Sequence, residues 1–173
     1  MKKLIGLLSM TLVLASCQEQ QKIAFVDNGE VINAYQEKID IEAKYDVKDK
    51  AFQKRTDSIG RAFQTEAQGF QAKAESMSQQ EQQEQYQALG QKQQMLQQQF
   101  QMEQQQLTKE FNVEIDSVLS HVKTFVADYG KKNGYTFILG KNEAGSVMFG
   151  DDDKDISKEI IEALNADYKK EEE

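Results

Sequence analysis

The spacing of apolar positions changes several times along the chain, and each change marks an element. Leu4 to Leu14 is a mainly apolar run behind Lys2 and Lys3, followed by small residues and Cys17. It is shorter than the ~20 residues a helix needs to cross a bilayer, and its order is that of a secretory leader. Ile23–Val26 is a short run of strand formers, so a strand is expected there, with Asp27 or Asn28 starting a helix after it. From about Val31 to Lys132 the chain has no proline and is dominated by Gln, Glu, Lys and Ala, which predicts continuous helix. Lys131-Lys132-Asn133-Gly134 is a helix stop: two cations suit the C-terminal dipole and Gly134 the left-handed position after it. Tyr135–Leu139 reads as a second strand and Ser146–Phe149 as a short third one. Ile160, Ile161 and Leu164 then mark one face of a closing helix with Ser157 as its N-cap.

The long helical stretch carries its own fold-back signal. Large apolar residues fall at Phe52, Ile59, Phe63 and Phe70, in steps of seven, four and seven. They fall again at Leu89, Leu96, Phe100, Leu107, Phe111, Val118, Val122 and Tyr129, alternating seven and four. That is an eleven-residue repeat, ~3.67 residues per turn, which keeps a helix pair nearly straight. The two sets mirror each other. Phe70 with Leu89, Phe63 with Leu96, Ile59 with Phe100, Phe52 with Leu107 and Ile41 with Val118 all have residue numbers adding to 159. The mirror lies between Gln79 and Gln80, beside Ser78 and Glu81, which form a capping-box pattern. An antiparallel helical hairpin is therefore expected, with its tip near 78–81 and Phe111 opposite Lys48 as the one mismatch. Met77, Tyr86, Met95 and Met102 lie off the seam near the distal end; methionine is a soft, adaptable contact, so they are candidate contacts for varied apolar partners. Gly60, Gly69 and Gly90 lie inside the arms and should let them bend.

Composition narrows the class. The 173 residues include no proline and no tryptophan, and mean hydropathy is −0.71. So polar a chain cannot fill one broad core and must be elongated, oligomeric or partly disordered. Gln occupies 16 of the 28 positions from Gln79 to Gln106, yet the apolar repeat runs through them, which favours a wet helix over disorder. The net charge is −8, against the basic footprint that nucleic acid requires. One Cys rules out an internal disulfide framework and a cysteine zinc cluster. His121 stands alone on the long helix. Gly140-Lys141-Asn142 lacks the rest of a phosphate loop, and Asp151–Asp155 lacks the spacing of a calcium loop. No catalytic, cofactor or metal residues are assigned, and no enzyme activity is expected.

Leu14-Ala15-Ser16-Cys17 resembles the lipobox of bacterial lipoproteins. The resemblance implies a leader over 1–16 and lipidation of Cys17, with a membrane anchor, most simply at the outer membrane. Cleavage would leave 19 basic against 29 acidic side chains, a net charge of −10.

The order strand, long hairpin, strand, strand, helix resembles the Skp/OmpH family of periplasmic chaperones. The likeness sits in Lys22–Asp27, Val31–Tyr35, Lys132–Leu139 and Asp155–Asn165, and spans about 22–168. It implies an α+β fold: a long antiparallel helical hairpin, a coiled-coil arm over 41–129, projecting from a small β body made of 22–40 and 130–168, all in one domain over 17–173. It further implies a homotrimer whose arms surround a cavity, and an ATP-independent holdase that keeps unfolded outer-membrane β-barrel proteins soluble in the periplasm. Typical members carry basic arms, whereas Ala62–Gln106 here has five acids and two bases. The competing reading is a lipid-anchored structural tether whose hairpin binds one folded envelope partner.

Overall fold

The computed structural model describes residues 21–171; the leader expected over 1–16 and the expected lipidation of Cys17 fall outside them. Strand β1 (Ile23–Asp27) leads directly into helix α1 (Asn28–Ala34), because the Asp27 carboxylate accepts the Glu30 N–H at 3.1 Å and so caps that helix. Helix α2 (Gln36–Ala74) and helix α3 (Gln79–Lys132) follow. At 1.5 Å per residue these are about 58 Å and about 81 Å long. Gly134, at φ 70°, turns the chain into strand β2 (Phe137–Lys141). A single 3₁₀ turn (Asp152–Lys154) and helix α4 (Ser157–Glu171) close the chain.

β1 and β2 pair in parallel, Ile23 opposite Phe137 through Asp27 opposite Lys141. Parallel neighbours need a long crossover, and here that crossover is the whole hairpin. The arm is thus an extension of one βαβ connection, and the body is what the connection returns to. The body core is formed by Ala24, Val26, Val31, Tyr35, Val118, Val122, Ile156, Ile160 and Leu164, all buried. Ile156, Ile160 and Leu164 repeat every four residues, so one face of α4 is apolar and lies over the core. The fold is the expected one: long helices folded back on each other over a small two-stranded sheet.

Three local expectations fail. Ser146–Phe149 is not a strand: the segment is irregular, with Met148 and Phe149 exposed by 90% and 82%. Its β-forming side chains find no neighbouring strand there. Ser157 is not the N-cap of α4 but its first residue; the Ile156 carbonyl accepts the first helical bond, from Ile160, at 3.0 Å. The buried Ser157 hydroxyl instead accepts the Asp27 N–H at 2.8 Å and donates to Asp155 at 2.6 Å, tying α4 to the end of β1. Finally, the helix is not continuous from Val31. Tyr35 is extended, with ψ 123°, and separates α1 from α2. Asn165 of α4 holds this break from both sides: its Oδ1 accepts the Gln36 N–H at 2.8 Å and its Nδ2 donates to the Ala34 carbonyl at 3.1 Å.

Candidate functional site

The hairpin turns at residues 75–78, where Ser78 caps α3. Its side chain accepts the Glu81 N–H and the Glu81 carboxylate accepts the Ser78 N–H at 2.8 Å, a reciprocal box that stops one helix and starts the next. Those hydrogen bonds hold the Glu81 carboxyl below its usual range.

Two kinds of contact hold the arms. Along the seam Phe70 is buried, while Phe52, Ile59, Phe63, Leu89, Leu96, Phe100 and Leu107 are half-buried, as a two-helix seam open on both flanks requires. Phe52 meets Phe100 edge to face at 6.4 Å, and Phe70 meets Tyr86 at 4.7 Å. On the flank run four cross-arm ion pairs: Lys44–Glu114, Lys48–Glu110, Arg55–Glu103 and Glu66–Lys92. Each has residue numbers adding to 158, so one register runs from the root of the arm to its distal third. Phe111 does not leave a mismatch against Lys48. Its ring packs on Tyr45 at 5.3 Å, and Lys48 turns aside to Glu110 and over the Tyr45 ring. Tyr45, which the seven–four pattern passed over, is buried and donates its hydroxyl to Glu114 at 2.8 Å. Bonds from Lys44 and then Tyr45 hold the Glu114 carboxyl low, and burial, followed by Glu114, pushes the Tyr45 phenol up.

The distal surface carries few charges, and part of them are paired. Between Ala62 and Gln106, Glu66 is paired with Lys92, Glu103 with Arg55, and Glu81 is engaged in the cap. Among the described residues, Lys73, Glu75 and Glu84 remain there without an ion pair. Tyr86, Met95 and Met102 project into solvent, 61–64% exposed, and Met77 is half-buried. They do not make one patch. Met95, Met102 and the equally exposed Val113 are seven and eleven residues apart, which places them within about 20° of each other around α3. Tyr86 lies about half a turn away, against Phe70.

At the arm's root, His121 Nδ1 lies 3.1 Å from the Tyr35 hydroxyl and 3.4 Å from Glu37. The imidazole bridges α3 to the break between α1 and α2. Among the described residues no group of three or more His, Cys, Asp or Glu is placed to hold a metal ion. Among the same residues, no helix is long and apolar enough to cross a membrane.

The sheet is the other exposed apolar surface. Alternation sends Ala24, Val26 and Ile138 toward the core and Ile23, Phe25, Phe137 and Leu139 outward. Phe25 is covered by Gly150, where a Cβ would stand 2.4 Å from the ring. Ile23, Phe137 and Leu139 stay 42–54% exposed. On its other side β1 bridges to Asp155, whereas β2 has no second neighbour among the described residues. Alongside β2 runs an apolar groove of about 630 Å³, floored by Val31, Ile32, Leu119, Val122, Val126 and Ile138.

The family model for outer membrane protein (OmpH-like) matches residues 22–164. Comparison with curated proteins gives no match. Among solved structures, the chain resembles one from Caulobacter crescentus CB15, provisionally described as an outer membrane chaperone (OmpH-like). The TM-score is 0.74 at 16% identity, over 84% of this chain and 85% of that one.

Proposed function

Because the chain belongs to the OmpH-like outer membrane protein family, we propose that it is an ATP-independent holdase of the bacterial cell envelope, binding unfolded outer-membrane β-barrel proteins between the arms of a homotrimer. The observation that carries this reading is the arm itself. It is a long, thin, wet hairpin whose distal third offers few charges, many side-chain amides and scattered exposed Met and Tyr. Such a surface has no shape to impose on a partner, and so suits a client without fixed structure. The apolar outer face of the sheet and the open side of β2 support self-association, since a two-stranded sheet with one exposed apolar face gains stability from added strands. The Caulobacter protein's provisional description as an outer membrane chaperone points the same way.

Lipidation of Cys17 would hold the body at a membrane, most simply the outer one, with the arms reaching into the periplasm. The test is dilution of a urea-unfolded barrel protein into buffer with the secreted chain and no nucleotide. Suppressed light scattering at a molar excess of trimer is expected. Unchanged aggregation, together with one folded envelope protein retained on the same chain, would replace the holdase by a tether.

A further inference from the structure

The chain enters the fold at the end of α3 farthest from the hairpin tip. α3 runs from the tip to Lys132, and Lys22, the residue before β1, is tied to the end of that helix. Its ammonium donates to the Asn133 carbonyl at 3.0 Å and lies 3.8 Å from the centre of the Tyr135 ring. Its carbonyl accepts the Thr136 N–H at 2.8 Å. Lys131 and Lys132 stand exposed on the last turn of α3. The helix dipole alone accounts for those two lysines. It does not account for a third brought from a separate element, or for the aromatic pair beside them, in which Tyr135 stacks on Tyr129 at 6.4 Å. Two acids lie close by. Glu159 of α4 acts on Tyr129, and Asp128 pairs with Lys131 at 2.9 Å, a pair so exposed that it is worth little. Three cations and two phenols thus gather at one end of a chain whose net charge is −8.

The lipid expected on Cys17 attaches at this same end. The links from Cys17 to Lys22 reach at most about 17 Å, whereas the tip is about 81 Å away along α3. We propose that the foot of the body, Lys22, Lys131 and Lys132 with Tyr129 and Tyr135, rests on the anionic phospholipid surface of the membrane that holds Cys17. Lysine and tyrosine each carry an apolar body with a polar tip, the combination that settles at the headgroup level of a bilayer. The rest of the chain is acidic, so the same surface repels it. Contact through the foot therefore sets the arm pointing away from the membrane. A lipid alone would hold the body near the bilayer without fixing which way it faces; the lysines supply the orientation. This inference rests on the lipidation proposed above and adds the face that meets the membrane and the headgroup charge it requires.

The chain has no tryptophan, so a single introduced indole reports its surroundings cleanly. The chain purified with its anchor, carrying Tyr135→Trp at the foot or Tyr86→Trp on the arm, is reconstituted into vesicles that contain a headgroup-spin-labelled lipid as contact quencher. The vesicles are phosphatidylcholine alone or phosphatidylcholine with phosphatidylglycerol. The indole of Tyr135→Trp should be quenched in the anionic vesicles only, and that of Tyr86→Trp in neither. K131Q/K132Q, at two exposed positions, should shift the ratio of docked to free foot by about 25-fold, since each lysine near an anionic surface is worth about fivefold. K131R/K132R should restore docking, and circular dichroism melts matching the parent would show that both variants fold. Equal quenching in neutral vesicles, or docking unchanged in K131Q/K132Q, would overturn a contact led by charge. Quenching of Tyr86→Trp in place of Tyr135→Trp would put the arm on the lipid instead. Emission of Tyr135→Trp that shifts with chain density and not with lipid charge would give this face to a second copy, and so overturn the inference too. Mass spectrometry of the same sample separates the two readings. An unmodified Cys17 would remove the anchor and this inference with it, whereas an acylated chain whose foot is never quenched would overturn this inference alone.

Discussion

At the scale of single residues, the parts that organise this protein are small polar groups reaching between elements far apart in sequence. Asn165 is one. It accepts from Gln36 and donates to Ala34, so one amide on α4 satisfies the backbone on both sides of the break at Tyr35. Asn165→Ala would leave a donor and an acceptor without that partner at a half-buried point; a loss of about 1–3 kcal/mol is expected in urea unfolding, against little change for Asn165→Asp at the Gln36 contact alone. Glu114 is another. It accepts hydrogen bonds from Lys44 at 2.7 Å and from Tyr45 at 2.8 Å, which hold its carboxyl low, and Glu110 is held low by Gln106 and Lys48. A carboxylate whose folded pKa is depressed contributes stability above its unfolded pKa and loses it as pH falls through the folded value. The chain should therefore melt at a nearly constant temperature down to about pH 5 and progressively lower beneath about pH 4.5. Glu114→Gln should shallow that acid slope; a thermal scan across pH that shows the same slope in the variant would remove Glu114 from the account.

At the scale of elements, the hairpin was legible because helix physics repeats itself. The seven–four spacing fixes the buried stripe, the mirror of that spacing fixes the fold-back, and Ser78 with Glu81 fixes where it occurs. Gly134 and the two lysines before it mark the end of α3 just as they do in the sequence. What was not legible depends on distant partners. Nothing local announces the break at Tyr35, which is set by an amide 130 residues away on α4. Tyr45 escaped the pattern because it lies between seam steps and reaches the partner arm through its ring and hydroxyl together. Ser146–Phe149 has strand propensity, but propensity without a pairing edge does not make a strand. The arm glycines give a further prediction. A Cβ at Gly60, Gly69 or Gly90 would meet nothing within 4 Å, and none has a positive φ. Each Gly→Ala change should stabilise the helix by up to about 1 kcal/mol. If the arm's bending serves client uptake, the triple variant should melt higher yet hold less client per mole of chain; equal uptake would make these glycines neutral to function.

At the scale of the whole molecule, the decisive feature is where charge has been spent. The chain is acidic, but four acid–base pairs cross the hairpin in one register, and the distal stretch from Ala62 to Gln106 holds only five acids and two bases. The pairing that aligns the arms thereby removes charge from the surface a client would meet. A basic arm would attract acidic clients and membranes from a distance and lose that attraction in salt, since the screening length falls to ~10 Å at 0.1 M and ~3 Å at 1 M. This arm has little long-range field to lose. What it offers instead is apolar contact at Met95, Met102 and Val113, each too small to hold a chain alone, on helices with abundant side-chain amides between them. Binding of an unfolded barrel protein should therefore change by less than about threefold when salt rises from about 0.05 M to about 0.5 M, where a capture led by charge would weaken by orders of magnitude. Fluorescence anisotropy of a labelled, unfolded barrel, titrated with the chain at both salts, reads this directly. Met95→Gln together with Met102→Gln should weaken binding at either salt without lowering the melting temperature, because neither side chain is buried in the fold. Steep salt dependence with full binding by the double variant would place recognition in charges of the arm such as Lys73, Glu75 and Glu84, which form no ion pair among the described residues of the distal third, and not in its exposed methionines.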